Sequence, residues 1–157
     1  MAHSNEVVEK VKSVLDENEW KYQFNEETKH LRAKFNITGK IRNVQILMDL
    51  SYDDSVVVVC VFPINAEEKY YVDVLRLINF INYNSKYGNY ELDEEDGEVR
   101  FRLTVDLEGI IPSTEMVEKC VIIPIHMMQK YGEDLIAVVM GYKKFEEVRE
   151  KLIQDKK

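Results

Sequence analysis

Cysteine, proline, histidine and glycine are all scarce in this chain of 157 residues, and each scarcity removes a class of function. Cys60 and Cys120 lie far apart with no CxxC or Cys/His spacing near either. A zinc site and a thioredoxin-like redox centre therefore lack their signatures, and both thiols read as buried structural residues. His3, His30 and His126 stand alone, which leaves no HExxH pair to hold zinc. The few glycines form neither GxGxxG nor a P-loop, the two arrangements that bring backbone N–H groups up to a phosphate, and no GxSxG elbow presents a serine nucleophile. The sequence thus offers no catalytic residue, no cofactor-binding residue and no metal ligand. The expectation is a protein that is not an enzyme and binds no cofactor. Internal repeats, low-complexity segments and dividing linkers are missing too, so residues 1–157 read as a single domain.

Positive charge and long apolar runs are the other absences. With 29 Asp and Glu against 21 Lys and Arg, the formal net charge is -8. An acidic field repels phosphate, and nucleic-acid affinity comes largely from basic groups that displace counterions, so nucleic acid is an unsuitable partner. The same charge disfavours anionic membrane surfaces, and no apolar run approaches the ~20 residues of a membrane span. Residues 1–16 alternate apolar with charged positions at helical spacing instead of forming a secretory signal, so a soluble, cytoplasmic protein is expected. On that expectation the sequon Asn36-Ile37-Thr38 is a chance match. What the chain does have is an apolar fraction of 45% and a charged fraction of 32%, which suits a folded core.

The apolar residues change period along the chain. Ser4 or Asn5 can cap a helix whose Val7, Val8, Val11, Val14 and Leu15 share a face. From Trp20 the period is two: Trp20, Tyr22 and Phe24, then Leu31, Ala33, Phe35 and Ile37 form a hairpin, and Val44, Ile46, Met48 and Leu50 a third strand. Val56 to Phe62 is apolar at every position, which predicts an interior strand with both faces covered, where Asp at Val58 or Val59 alike would abolish folding. Pro63 ends it.

Asn65 and Glu68 have capping-box spacing and open a helix predicted to run to about Asn84. Its apolar residues wrap most of the circumference, so it needs cover on two sides: the sheet on one, and later helices or a second subunit on the other. Tyr87–Leu92 and Val99–Leu107 pair as a hairpin across the turn Asp93-Glu94-Glu95-Asp96-Gly97. That turn cannot be an EF-hand, because placing Gly97 sixth puts Leu92 and Leu103 at the first and last ligand positions. Ser113 or Thr114 starts a long helix that Pro124 should kink or split in two, and Phe145, Val148 and Leu152 mark a last one. The order is α-β-β-β-β-α-β-β-α-α, an α+β fold with an antiparallel sheet packed against helices.

The residues around the second helix resemble a known family. Leu75 to Asn82, then Tyr87-Gly88-Asn89-Tyr90-Glu91-Leu92-Asp93, Asp96 to Arg102, and Asp106-Leu107-Glu108-Gly109 are similar to the YbjN family, a group loosely tied to bacterial sensory transduction and stress regulation. The resemblance implies a fold like that of type III secretion chaperones, small acidic proteins, commonly homodimers, that hold extended partner polypeptides. It implies no catalytic residues. The expected function is a chaperone-like, protein-binding module, with a regulatory interaction protein as the alternative and a small-molecule enzyme as a distant third. A homodimer is expected from the apolar surplus of the second helix together with this resemblance. Tyrosines gathered near that helix, whose broad apolar rings and polar tips suit interfaces, make Tyr70, Leu77, Tyr83 and Tyr87 the candidate dimer or partner surface.

Overall fold

The computed structural model describes residues 2–156, with side chains from Asn5 onward. In chain order the elements are α1 (Ala2–Glu17), β1 (Tyr22–Asn25), β2 (His30–Asn36), β3 (Asn43–Asp49), β4 (Ser55–Val61), a 3-10 turn (Glu68–Tyr70), α2 (Tyr71–Tyr83), β5 (Asn89–Leu92), β6 (Val99–Asp106), α3 (Thr114–Val139) and α4 (Phe145–Gln154). The six strands form one sheet in the order β1-β2-β3-β4-β6-β5, antiparallel at every pairing. The α+β class and element order match the expectation from periodicity.

Alternation decides which side of each strand meets the helices. On β2, β3, β4 and β6 the inward residues Leu31, Ala33, Ile46, Met48, Val58, Cys60, Phe101 and Leu103 are buried, and α3 crosses β3, β4 and β6 with α1 beside it. Cys60 and Cys120 are free thiols in this core, where burial pushes each up to about 12 and leaves it unreactive.

β4 corrects the expectation of two covered faces. It is interior, between β3 and β6, but only Val56, Val58 and Cys60 are buried, whereas Val57, Val59 and Val61 point to the other side and are half-buried. No element of the described residues lies over that side, so an unbroken apolar run here marks one packed face and one open one.

Three helix expectations are also revised. α1 begins at Ala2, so Asn5 lies inside it instead of capping it, and the side chain of Ser4 is outside those described. Asn65 makes no cap: its amide donates to the Asp96 carbonyl at 3.1 Å, Ala66 N–H bonds to Gly97 O, and the helix opens through the 3-10 turn. This close approach needs glycine, since a Cβ on Gly97, at φ +81, would lie 2.0 Å from the Ala66 oxygen. α3 runs unbroken through Pro124, which is buried with Val121, Met127 and Met128, so packing on both sides of the proline holds one helix. Its Ser113 cap is as expected, with Oγ accepting from Met116 N–H. Finally, α2 buries Val74, Leu77, Ile78 and Ile81 against β5, α3 and α4. The later helices cover it, and Val72 remains outside, 70% exposed.

Both sheet edges are guarded. On β5, the Asn82 side chain of α2 donates to Tyr90 O at 3.0 Å and accepts from Tyr90 N–H at 2.8 Å, imitating a neighbouring strand. The Tyr90 hydroxyl donates to Met127 O at 2.7 Å, which ties the same strand to α3. β1, the other edge, has only four residues.

The two faces of β4 predict opposite outcomes for neighbouring substitutions. V58D places an unpaired charge under α3 and should cost several kcal/mol, a large part of the ~5–15 kcal/mol that keeps a domain folded. V59D stays at the open face and should fold, losing at most about 1 kcal/mol in strand preference. Solubility and thermal melting of the two variants check this.

Candidate functional site: the open face of the sheet

Strand register organises the uncovered side into rows that run across the sheet. One row reads Gln23, Arg32, Leu47, Val59, Arg102, Asn89; the next reads Lys34, Gln45, Val61, Arg100, Glu91. A third places His30, Asp49, Val57 and Thr104 side by side. Neighbouring strands are ~4.8 Å apart, so Leu47, Val57, Val59 and Val61 form a continuous apolar stripe over β3 and β4. Cations border it on both flanks, from β2 and from β6.

The flanks differ in charge balance. On the β6 side, Arg100 Nε donates to one Glu91 oxygen at 2.9 Å and Arg102 Nε to the other at 2.7 Å. Desolvation on the sheet would raise the Glu91 carboxyl, but the hydrogen bonds from Arg102 and Arg100 outweigh it, so the group titrates below the ordinary glutamate range. On the β2 side, Arg32 and Lys34 have no carboxylate partner among the described residues. They border an open hollow of about 380 Å³ that Lys21, Tyr22, Gln23 and Gln45 also line. At the strand ends, His30 stands 3.5 Å from Asp49. Burial would raise that aspartate too, but bonds from the Ser51 hydroxyl and N–H, aided by His30, hold it low.

These groups can bind but do not converge for chemistry. The described residues contain no cluster of three or more metal-ligating side chains, and no described helix is long and apolar enough to cross a membrane. The strongly shifted groups, Cys60, Cys120 and Tyr90, sit inside the core.

The candidate residues named from sequence do not share one surface. Leu77 is fully buried and offers nothing to a partner. Tyr70 is half-buried, its ring seated where a Cβ on Gly141 would be 2.2 Å from Cζ. Tyr83, 90% exposed, ends the same 13-residue helix, about 20 Å away from Tyr70. Tyr87 is exposed in the loop beyond, with Lys86 Nζ 5.0 Å from its ring centre. The open face went unnoticed in the sequence, though a signal was present: Arg32 with Lys34, and Arg100 with Arg102, alternate in step with outward valines.

The family model described as "YbjN: Putative bacterial sensory transduction regulator" matches residues 8–131. No curated protein matches. A solved structure, "Crystal structure of YbjN, a putative transcription regulator from E. coli", is similar with a TM-score of 0.52 at 15% identity, over 78% of this chain and 90% of that one. At that identity the likeness shows the fold alone.

Glu91 generates an acid-stability prediction. A carboxyl held low in the folded state stabilises it above the ordinary glutamate range, and that contribution fades as pH falls through the lowered value. E91Q should therefore be less stable than wild type by up to about 1 kcal/mol at neutral pH, the pair being partly exposed. The difference should close under acid, measured by urea denaturation at a series of pH values.

Proposed function

The chain belongs to the YbjN family, and from that premise we propose that it is a regulatory, protein-binding module. It holds a partner polypeptide, chaperone-like, on the open face of its sheet and acts without catalysis, in the cytoplasm. The observation that carries this reading is the apolar stripe of Leu47, Val57, Val59 and Val61, uncovered and bordered by cations. An apolar band rimmed by polar groups is the surface expected of an interaction site. The non-catalytic part is supported by the family description, that of a sensory transduction regulator.

The E. coli structure is described as that of "a putative transcription regulator", which raises direct contact with nucleic acid as a competing route. The net charge of -8 weighs against it.

A homodimer forms part of the proposal on a separate observation. Val72, Met140 and Tyr142 are 70%, 41% and 73% exposed, and the Gly141–Tyr70 contact sets the end of α3 against the start of α2. This end of the molecule, away from Leu77, is where a second copy would pair. Sedimentation at micromolar concentration should give a dimer that V72E/Y142E converts to monomer; a monomeric wild type would remove pairing from the proposal.

For partner binding, wild type and V59D are each immobilised and exposed to native bacterial lysate. A polypeptide retained by wild type and lost from folded V59D is the expected result. Equal retention by both, or none by either, would remove the open face as the binding site.

A further inference from the structure

We infer that the open face takes an extended acidic segment, its carboxylates over Arg32 and Lys34 and its apolar side chains over Leu47, Val57 and Val59. The inference rests on the polypeptide-binding reading above and adds the chemistry of the partner.

The face itself supplies the comparison. Two pairs of cations project from alternate positions of two strands, Arg100 and Arg102 on β6 and Arg32 and Lys34 on β2. The first pair is bridged by the Glu91 carboxylate, at 2.9 and 2.7 Å. The second pair has no such bridge among the described residues, although the chain carries 29 carboxylates. Lys21 lines the same hollow and makes no ion pair among the described residues. Three cations without counter-charges beside an open hollow are complementary to an anionic group brought from outside.

The spacing states what else that group must carry. β2 and β4 are two strand spacings apart, about 10 Å, and an extended segment laid along the rows advances ~3.3 Å per residue with alternate side chains facing down. An acidic residue over Arg32 therefore places the second residue after it about 6.6 Å on, between β3 and β4, where Leu47 and Val59 require an apolar partner, and the fourth about 13 Å on, near β6. Phosphate from nucleic acid would meet the same cations but could not use the stripe, and the rest of this acidic chain would repel it.

The test begins with a displayed library of random peptides selected on immobilised wild type. The selected consensus, synthesised with a fluorescein label, is then titrated by anisotropy against folded variants. The expected consensus has an acidic residue with an apolar residue about two positions on. Its affinity should fall as salt rises and drop at least about tenfold in R32E/K34E. R32Q/K34Q should repeat the loss at smaller size, and K143E, beyond the end of α3, should leave affinity unchanged. A consensus without acidic residues, equal binding by R32E/K34E, no selected peptide, or tighter binding of labelled duplex DNA would each overturn the inference. If V59D loses a lysate partner while the selected peptides lack acids, the polypeptide-binding reading stands and only its chemistry fails. If neither peptide nor partner is retained, both fail.

Discussion

The packing of α3 across β4 is the contact on which the other features depend. Val58 and Cys60 of the central strand and Val121 and Met128 of the helix are all at or near zero exposure. Once β4 has one face under α3, the period of two sends Val57, Val59 and Val61 to the opposite side without further choice. Register then aligns Leu47 of β3 and the arginines of β6 with them. The open face is thus a consequence of core packing, and a one-residue slip in β4 would exchange its core and surface residues completely.

A two-layer fold of this kind leaves the sheet with edges and a face to protect. The edges are handled locally, by Asn82 pairing with the Tyr90 backbone on one side and by brevity on the other. The face is treated differently. Charged side chains flank its valines and discourage stacking with another flat sheet, yet their methylene stems extend the apolar surface. Such a surface resists indiscriminate association while keeping the area and charge pattern that a specific partner can use. That combination fits the binding role proposed for the open face.

Several local rules held because they concern neighbours in sequence. The alternation of Leu31, Ala33 and Phe35 and the cap at Ser113 both depend on backbone geometry within a few residues. The failures each involve a distant competitor. Asn65 would have capped a helix had the β5–β6 turn not drawn its amide to the Asp96 carbonyl and the helical turn not opened later, with Glu67 at its N-cap. Pro124 would have split α3 had the core not held both halves in line. Leu77 looked like surplus surface because α4, whose Glu146 pairs with Arg76 of α2, is remote from it in the chain.

Taken by itself, then, the sequence determined the α+β class, the element order, the acidic character and the lack of any catalytic motif, since each follows from composition or from periods that a single segment expresses. Tertiary structure alone decided which face of β4 is covered, which cations found carboxylates and which did not, and where the tyrosines lie relative to one another. An apolar run reads the same whether one of its faces is packed or both. Only the number of layers assembled around it settles the difference, and layer count is a property of contacts between distant segments.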